Sequence, residues 1–189
     1  MMLHKEALEV LARYRGKHIV MTTMGSVALW PDLSDTPRDF HYLPSSMGEA
    51  VPLALGLCLA RPELEVAVLV GDGGLLMNLG CLVTTAQYAV PLRIILVDNG
   101  LYEVTGGQPV ANARRTDFAR IAQGAGIQRV YTCVTLDQWQ RSAPEALAGS
   151  GPVFIWWHVR GERGRTTPTP PRAMPEQILR LRSLWSATA

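Results

Sequence analysis

Leu64-Glu65-Val66-Ala67-Val68-Leu69-Val70-Gly71-Asp72-Gly73-Gly74 is an apolar run that breaks abruptly into three glycines around one acid. A second run, Leu92 to Val97, ends in Asp98-Asn99-Gly100-Leu101. Both are rich in Val, Ile and Leu and too short for helices, so they read as buried strands of a parallel sheet. Asp72 and Asn99 then sit where strands end, on the side where open α/β sheets bind ligands. A carboxylate and an amide carbonyl are hard oxygen donors that suit Mg²⁺. Gly71, Gly73 and Gly74 let backbone N–H groups come close to an anion. A metal clamp and a phosphate cradle are thus offered at one point.

Working outward, 189 residues predict one domain with a substantial core. At 48% hydrophobic and 18% charged, the composition is that of an ordinary globular protein. A net charge of +2, with no basic stripe, gives no argument for nucleic acid. Cys58, Cys81 and Cys133 are too scattered for an iron–sulfur cluster and read as reduced core thiols of a cytoplasmic protein. The longest apolar run, Ala50 to Ala60, is too short to span a bilayer, and Met1 to Arg15 reads as an amphipathic helix rather than a secretory signal.

The periodicity predicts six strands with helices between most of them: a doubly wound, mainly parallel six-stranded sheet with helices on both faces. The strands are placed at His18 to Met21, Phe40 to Leu43, Leu64 to Val70, Leu92 to Val97, Ile127 to Val134 and Val153 to Val159. Ser45-Ser46 is expected to cap a helix from Met47 to Leu59, apolar almost all round and so buried, against another subunit if not inside the fold. A helix is expected from Gly74 to Ala89, and another from Leu136 to Leu147 interrupted at Pro144. Residues 1–160 form the domain; 161–189 read as an extended tail with a short amphipathic helix from Glu176 to Trp185, suited to docking on a partner. In the turn after the first strand, Thr23, Gly25 and Ser26 suit a phosphate, or Ser26 simply caps a helix. Met47 is open between core and site. His4, His18, His41 and His158 follow no metal or triad spacing and read as structural.

Asp72 and Asn99, twenty-seven residues apart in the setting Gly-Asp-Gly … Asn, resemble the diphosphate-binding motif of thiamine diphosphate enzymes. Ser46-Met47-Gly48 upstream and Thr105-Gly106-Gly107-Gln108 downstream agree with it. Within those enzymes the stretch from Ile19 to Pro171 resembles the diphosphate domain of the sulfopyruvate and phosphonopyruvate decarboxylases. The resemblance implies a Mg²⁺ held by Asp72, Asn99 and the main-chain carbonyl of Leu101. It implies a diphosphate held by the glycines and the first turn, with Tyr102 also at the cofactor. It further implies that Met47 supports the bent cofactor and that the Ser45 carbonyl meets the aminopyrimidine. The family often has two consecutive Asn where Asp98-Asn99 stands here, and the ligating second position is kept.

Such enzymes need a second domain that binds the aminopyrimidine and presents a catalytic Glu to it. This length leaves no room for it, and Glu49 reads as a helix-start acid rather than that Glu. The resemblance therefore implies a separate pyrimidine-domain α subunit, a dimer or hetero-oligomer, and a small 2-oxo acid substrate, sulfopyruvate first. The alternatives are a phosphonopyruvate decarboxylase-like enzyme, an acetolactate synthase-like enzyme, and a non-catalytic cofactor-binding subunit. Glu103 to Thr116, glycine-rich and without apolar period, reads as a substrate-side lid. Thr105, Gly106, Gly107 and Gln108 lie in it, as do Arg114 and Arg115, which are candidates for the substrate's acidic group or else solvated charge.

Overall fold

A computed structural model describes residues 1–186. Alternation along three central strands decides the layering: β1 (Ile19–Thr22), β3 (Val66–Gly71) and β4 (Leu92–Asp98). Ile19, Met21, Val66, Val68, Ile94 and Leu96 face one layer, while Val20, Ala67, Leu69, Ile95 and Val97 face the other. A sheet buried on both faces needs both sets to be apolar, and they are. With β2 (Asp39–His41), β7 (Arg129–Cys133) and β8 (Val153–His158), the sheet has six strands in the order β2-β1-β3-β4-β8-β7. All five pairings are parallel, as the sequence predicts.

Helices cover both faces. On one lie α3 (Ala50–Ala60), α5 (Gly80–Ala86), α6 (Phe118–Gly124) and α8 (Met174–Ser186), inserting Val51, Leu55, Leu82, Phe118 and Leu181. On the other lie α1 (His4–Tyr14) and α7 (Leu136–Ala146), inserting Leu8, Leu11 and Trp139. Trp139 donates its indole N–H to the Ala7 carbonyl at 3.0 Å and packs against Trp157 at 5.0 Å between rings. The three cysteines are buried and unpaired. Among the described residues no helix is long and apolar enough to cross a membrane.

Several elements depart from the sequence expectation. The helix expected at Met47 begins at Ala50, because Gly48 takes φ +90 and turns the chain before it. Ser45 and Ser46 therefore line a turn instead of capping a helix. The helix expected from Gly74 to Ala89 is two, α4 (Asp72–Leu76) and α5, separated at Met77–Leu79. There the Asn78 amide donates to the Gly48 carbonyl at 3.4 Å, a tertiary contact that no helical period foretells. By contrast α7 passes through Pro144 unbroken, giving up the one ladder bond whose N–H the proline lacks. Its start is a capping box between Thr135 and Gln138. The helix α8 lies on the chain's own sheet: Leu181 is buried, and the Gln177 side chain accepts from the His41 N–H at 2.7 Å.

The stretch after β4 is more ordered than an open loop. A two-stranded hairpin pairs β5 (Leu101–Tyr102) with β6 (Gln108–Pro109), and a single 3₁₀ turn, Glu103–Thr105, joins them. Glu103 and Val110 are buried within it.

Candidate functional site

From β1 the chain moves outward to β2 and then returns across β1 to build β3 on the other side. The gap this leaves at the C-terminal ends of β1 and β3 is where open parallel sheets bind ligands. A cleft of about 840 Å³, its open mouth included, lies there. The turn after β1 supplies Thr23, Gly25 and Ser26 to its wall; the exit of β3 supplies Gly71, Asp72, Gly73 and Gly74. Asn99, Leu101, Tyr102 and Thr105 come from the end of β4 and its hairpin, and Ser45 and Met47 from the turn before α3. Met47 is 40% exposed, so it is no core methionine.

Each wall has a local cause. The Thr23 hydroxyl donates to the Leu69 carbonyl at 2.9 Å, tying the first turn to β3. A side chain at Gly71 would meet nothing within 4 Å, so bare backbone faces the cleft there. At Gly73 a Cβ would collide with the Tyr102 ring, which lies directly on the glycine backbone. The glycines thus serve two purposes: one opens backbone to a ligand, the other lets the β5 hairpin close down.

Asp72 is 2% exposed, and its carboxylate accepts from the Gly100 N–H at 3.0 Å. Burial, and then the Asp98 carboxylate beside it, push its carboxyl well above the usual carboxylate range. Asp98 is itself buried; one oxygen accepts from the Trp156 indole at 3.0 Å and the other is unpaired. The Asn99 side-chain oxygen accepts from the Leu101 N–H at 2.8 Å, which leaves it a second lone pair. Two buried acids short of positive partners, beside amide and main-chain oxygens, fit a hard divalent cation. Among the described residues no three His, Cys, Asp or Glu side chains cluster, which disfavours a soft-metal centre.

Of the candidate substrate residues, Thr105 lines the cleft and the others lie outside it. Gln108 is exposed, and its amide donates to the Thr105 carbonyl at 2.8 Å. Gly106 and Gly107 take φ +118 and +73 in the hairpin turn, and Gly107 packs against Arg163. Arg114 is exposed and turned back, donating to the Asn99 carbonyl at 3.2 Å. Arg115 is exposed, and neither arginine lines the cleft. Three histidines are structural: His18 bonds the Arg15 carbonyl at 2.6 Å, His41 bonds Thr22 at 2.8 Å, and His158 lies against Trp156.

Two groups without a cofactor role in the sequence reading do line the cleft: His4, expected to be structural, and Glu103, expected only as the start of a lid. His4 is the first residue of α1, and its Nε2 is 3.1 Å from the Ser26 hydroxyl. Glu103 accepts from the Glu162 N–H at 2.7 Å and lies 3.8 Å from Arg165, pinning the stretch after β8 beside the cleft. No periodicity announces either. For Glu103 the sole hint is an acid directly following Tyr102 at the metal end of the sheet.

The thiamine pyrophosphate enzyme C-terminal TPP-binding domain matches residues 23–156. The chain is 34% identical to a phosphonopyruvate decarboxylase of Streptomyces viridochromogenes, over 77% of its own length but only 36% of that protein. It is 39% identical to the sulfopyruvate decarboxylase subunit beta of Methanothermobacter thermautotrophicus, over 82% of its own length and 80% of that subunit. A solved structure described as a thiamin diphosphate-dependent enzyme from Mycobacterium smegmatis has the same fold. It matches with a TM-score of 0.72 and 23% identity over 85% of this chain and 32% of its own.

Proposed function

Since this chain belongs to the thiamine pyrophosphate enzymes and carries their C-terminal TPP-binding domain, we propose that it is the cofactor-diphosphate subunit of a split 2-oxo acid decarboxylase acting on sulfopyruvate. What supports this most is the match to a β subunit, at 39% identity over 82% of this chain. The chain spans about a third of the phosphonopyruvate decarboxylases it matches, but 80% of a sulfopyruvate decarboxylase β subunit.

In this reading Asp72, Asn99 and the Leu101 carbonyl would hold Mg²⁺, whose charge would offset that of the diphosphate. The backbone at Gly71, Gly73 and Gly74 and the turn Thr23, Gly25, Ser26 cradle the phosphates. Met47 supports the cofactor, the Ser45 carbonyl meets its aminopyrimidine, and Tyr102 closes over Gly73. Bound thiamine diphosphate supplies the electron sink that makes loss of CO₂ from a 2-oxo acid possible. The carboxylate that activates it comes from a companion pyrimidine-domain chain, in a cytoplasmic hetero-oligomer. Closure of the stretch 103–116 brings Arg114 or Arg115 toward the substrate's acidic group.

The phosphonopyruvate reading stands second, on its 34% identity. Purified alone, the chain is expected to release no CO₂ from sulfopyruvate, phosphonopyruvate or pyruvate. With its companion subunit it should turn over sulfopyruvate fastest. Substantial turnover by the isolated, homogeneous chain would refute the division of labour.

A further inference from the structure

The charge of the cleft is the starting point. A diphosphate is strongly anionic, yet no Lys or Arg is among the described residues that line the cleft, and two that do, Asp72 and Glu103, are acids. A cation bound at Asp72 would answer the phosphate nearest β3 and β4. Nothing comparable serves the wall formed by the first turn. There the Glu103 carboxylate lies 3.4 Å from where a Gly25 Cβ would stand, and the His4 ring is 3.8 Å away on the same spot. Arg165 is 3.8 Å from Glu103 and also pairs with Glu162 at 2.6 Å, so its charge is already shared between two acids. Among the described residues of the cleft wall, His4 is therefore the one side chain that can become cationic, and it reaches Ser26 at 3.1 Å.

We propose that His4 is the cation this chain offers to the outer phosphate of bound thiamine diphosphate, acting with the Ser26 hydroxyl, and that cofactor binding takes up a proton there. This rests on the thiamine diphosphate reading above. A proton from solvent joins the imidazole; its Nε2–H then donates to the Ser26 oxygen, and the Ser26 O–H turns to donate to the phosphate. Before the anion arrives the ring is neutral, because burial and then Arg165 hold its pKa down to about 4, against a weaker opposite pull from Glu162. A multiply charged phosphate one hydroxyl away, in a partly desolvated wall, favours the protonated ring and so opposes this.

The test compares the native chain with His4→Gln, which keeps a polar partner for Ser26 but cannot carry charge. Thiamine diphosphate and Mg²⁺ are titrated calorimetrically, with the companion subunit present, in buffers of differing ionisation heat near neutral pH. The native protein should take up roughly one proton more than the variant. Asp72, Asp98, Glu103, Glu162, Arg165 and the ligand's own phosphate are common to both proteins, so the difference isolates His4. The native advantage in affinity, roughly tenfold in mild acid, should shrink as pH rises. Imidazole nitrogen resonances of the native protein provide a check independent of the variant, and should move to the imidazolium position on binding. Equal proton counts, or a His4 ring that stays neutral in the complex, would overturn the proposal alone. Failure of thiamine diphosphate to bind either protein would overturn the cofactor reading and this proposal with it.

Discussion

Asp39, at the entry of β2, and Asp72, just past the exit of β3, are both nearly inaccessible, at 9% and 2% exposure. The chain treats them in opposite ways. Asp39 is surrounded by donors: the Arg15 guanidinium, the Trp30 indole at 2.8 Å, the Ser34 hydroxyl at 2.7 Å and the Thr36 N–H at 2.7 Å. Burial alone would raise its pKa, but these hydrogen bonds and the Arg15 charge outweigh it and hold the carboxyl below its ordinary range. Asp72 has backbone donors, no cationic side chain among its hydrogen-bond partners, and a second acid beside it, and its pKa moves the other way. A buried acid completed by its own chain is part of the scaffold. One left incomplete by its own chain is where an outside cation belongs.

The comparison is most exposed at Asp39. Replacing it by Ala takes the carboxylate away from Arg15, Trp30, Ser34 and Thr36 and should cost about 3–5 kcal/mol in urea unfolding. Cofactor affinity of the folded fraction should stay native. The depressed pKa also fixes a sign: Asp39 stabilises the fold above its unfolded value near 4, and the contribution fades as pH falls through the folded value. Asp39→Asn should therefore flatten the acid limb of the stability profile. A loss under about 1 kcal/mol for Asp39→Ala would break the comparison at its stronger end.

Next in size is Asp72→Asn. Affinity for thiamine diphosphate in the presence of Mg²⁺ should fall roughly a hundredfold, about 2.7 kcal/mol. Stability without ligands should hold or rise, since a repelled, desolvated carboxylate is gone. If the variant instead lost as much stability as Asp39→Ala, the two acids would be alike after all. Gly73→Ala should cost about 1–3 kcal/mol, because Tyr102 has to leave its seat. Loss of cofactor affinity in parallel would be expected from the displaced hairpin. The smallest effect is expected of Arg114→Ala: KM for an anionic substrate should rise less than about tenfold, with kcat nearly unchanged. An equal rise for pyruvate would remove Arg114 from substrate recognition.

What the sequence made legible was whatever local chemistry decides alone. Two aliphatic runs ending in Gly-Asp-Gly and Asp-Asn-Gly located β3, β4 and the cleft, because a buried parallel strand has few other ways to look. The break at Met77–Leu79 and the late start of α3 were not legible, since they are settled by Gly48 and Asn78 meeting across the fold. Pro144 misled for the opposite reason: a single proline removed one ladder bond there without ending the helix. His4 and Glu103 are brought together by folding from far apart in the chain, and no pattern within either segment encodes the meeting.

The order β1-β3-β4 has one more consequence. Adjacent strands lie about 4.8 Å apart, so the exits that carry Thr23, Asp72 and Asn99 are marks on a fixed ruler. The spacing between phosphate cradle and metal clamp is therefore a property of backbone pairing, whichever aliphatic side chains fill the strands. Substitutions such as Val68→Ile can drift without moving a mark. A single deletion inside β3 would shift Asp72 by one residue and turn it to the other face of the sheet. The lineage of such a protein should thus be tolerant of spelling and intolerant of length within β3 and β4.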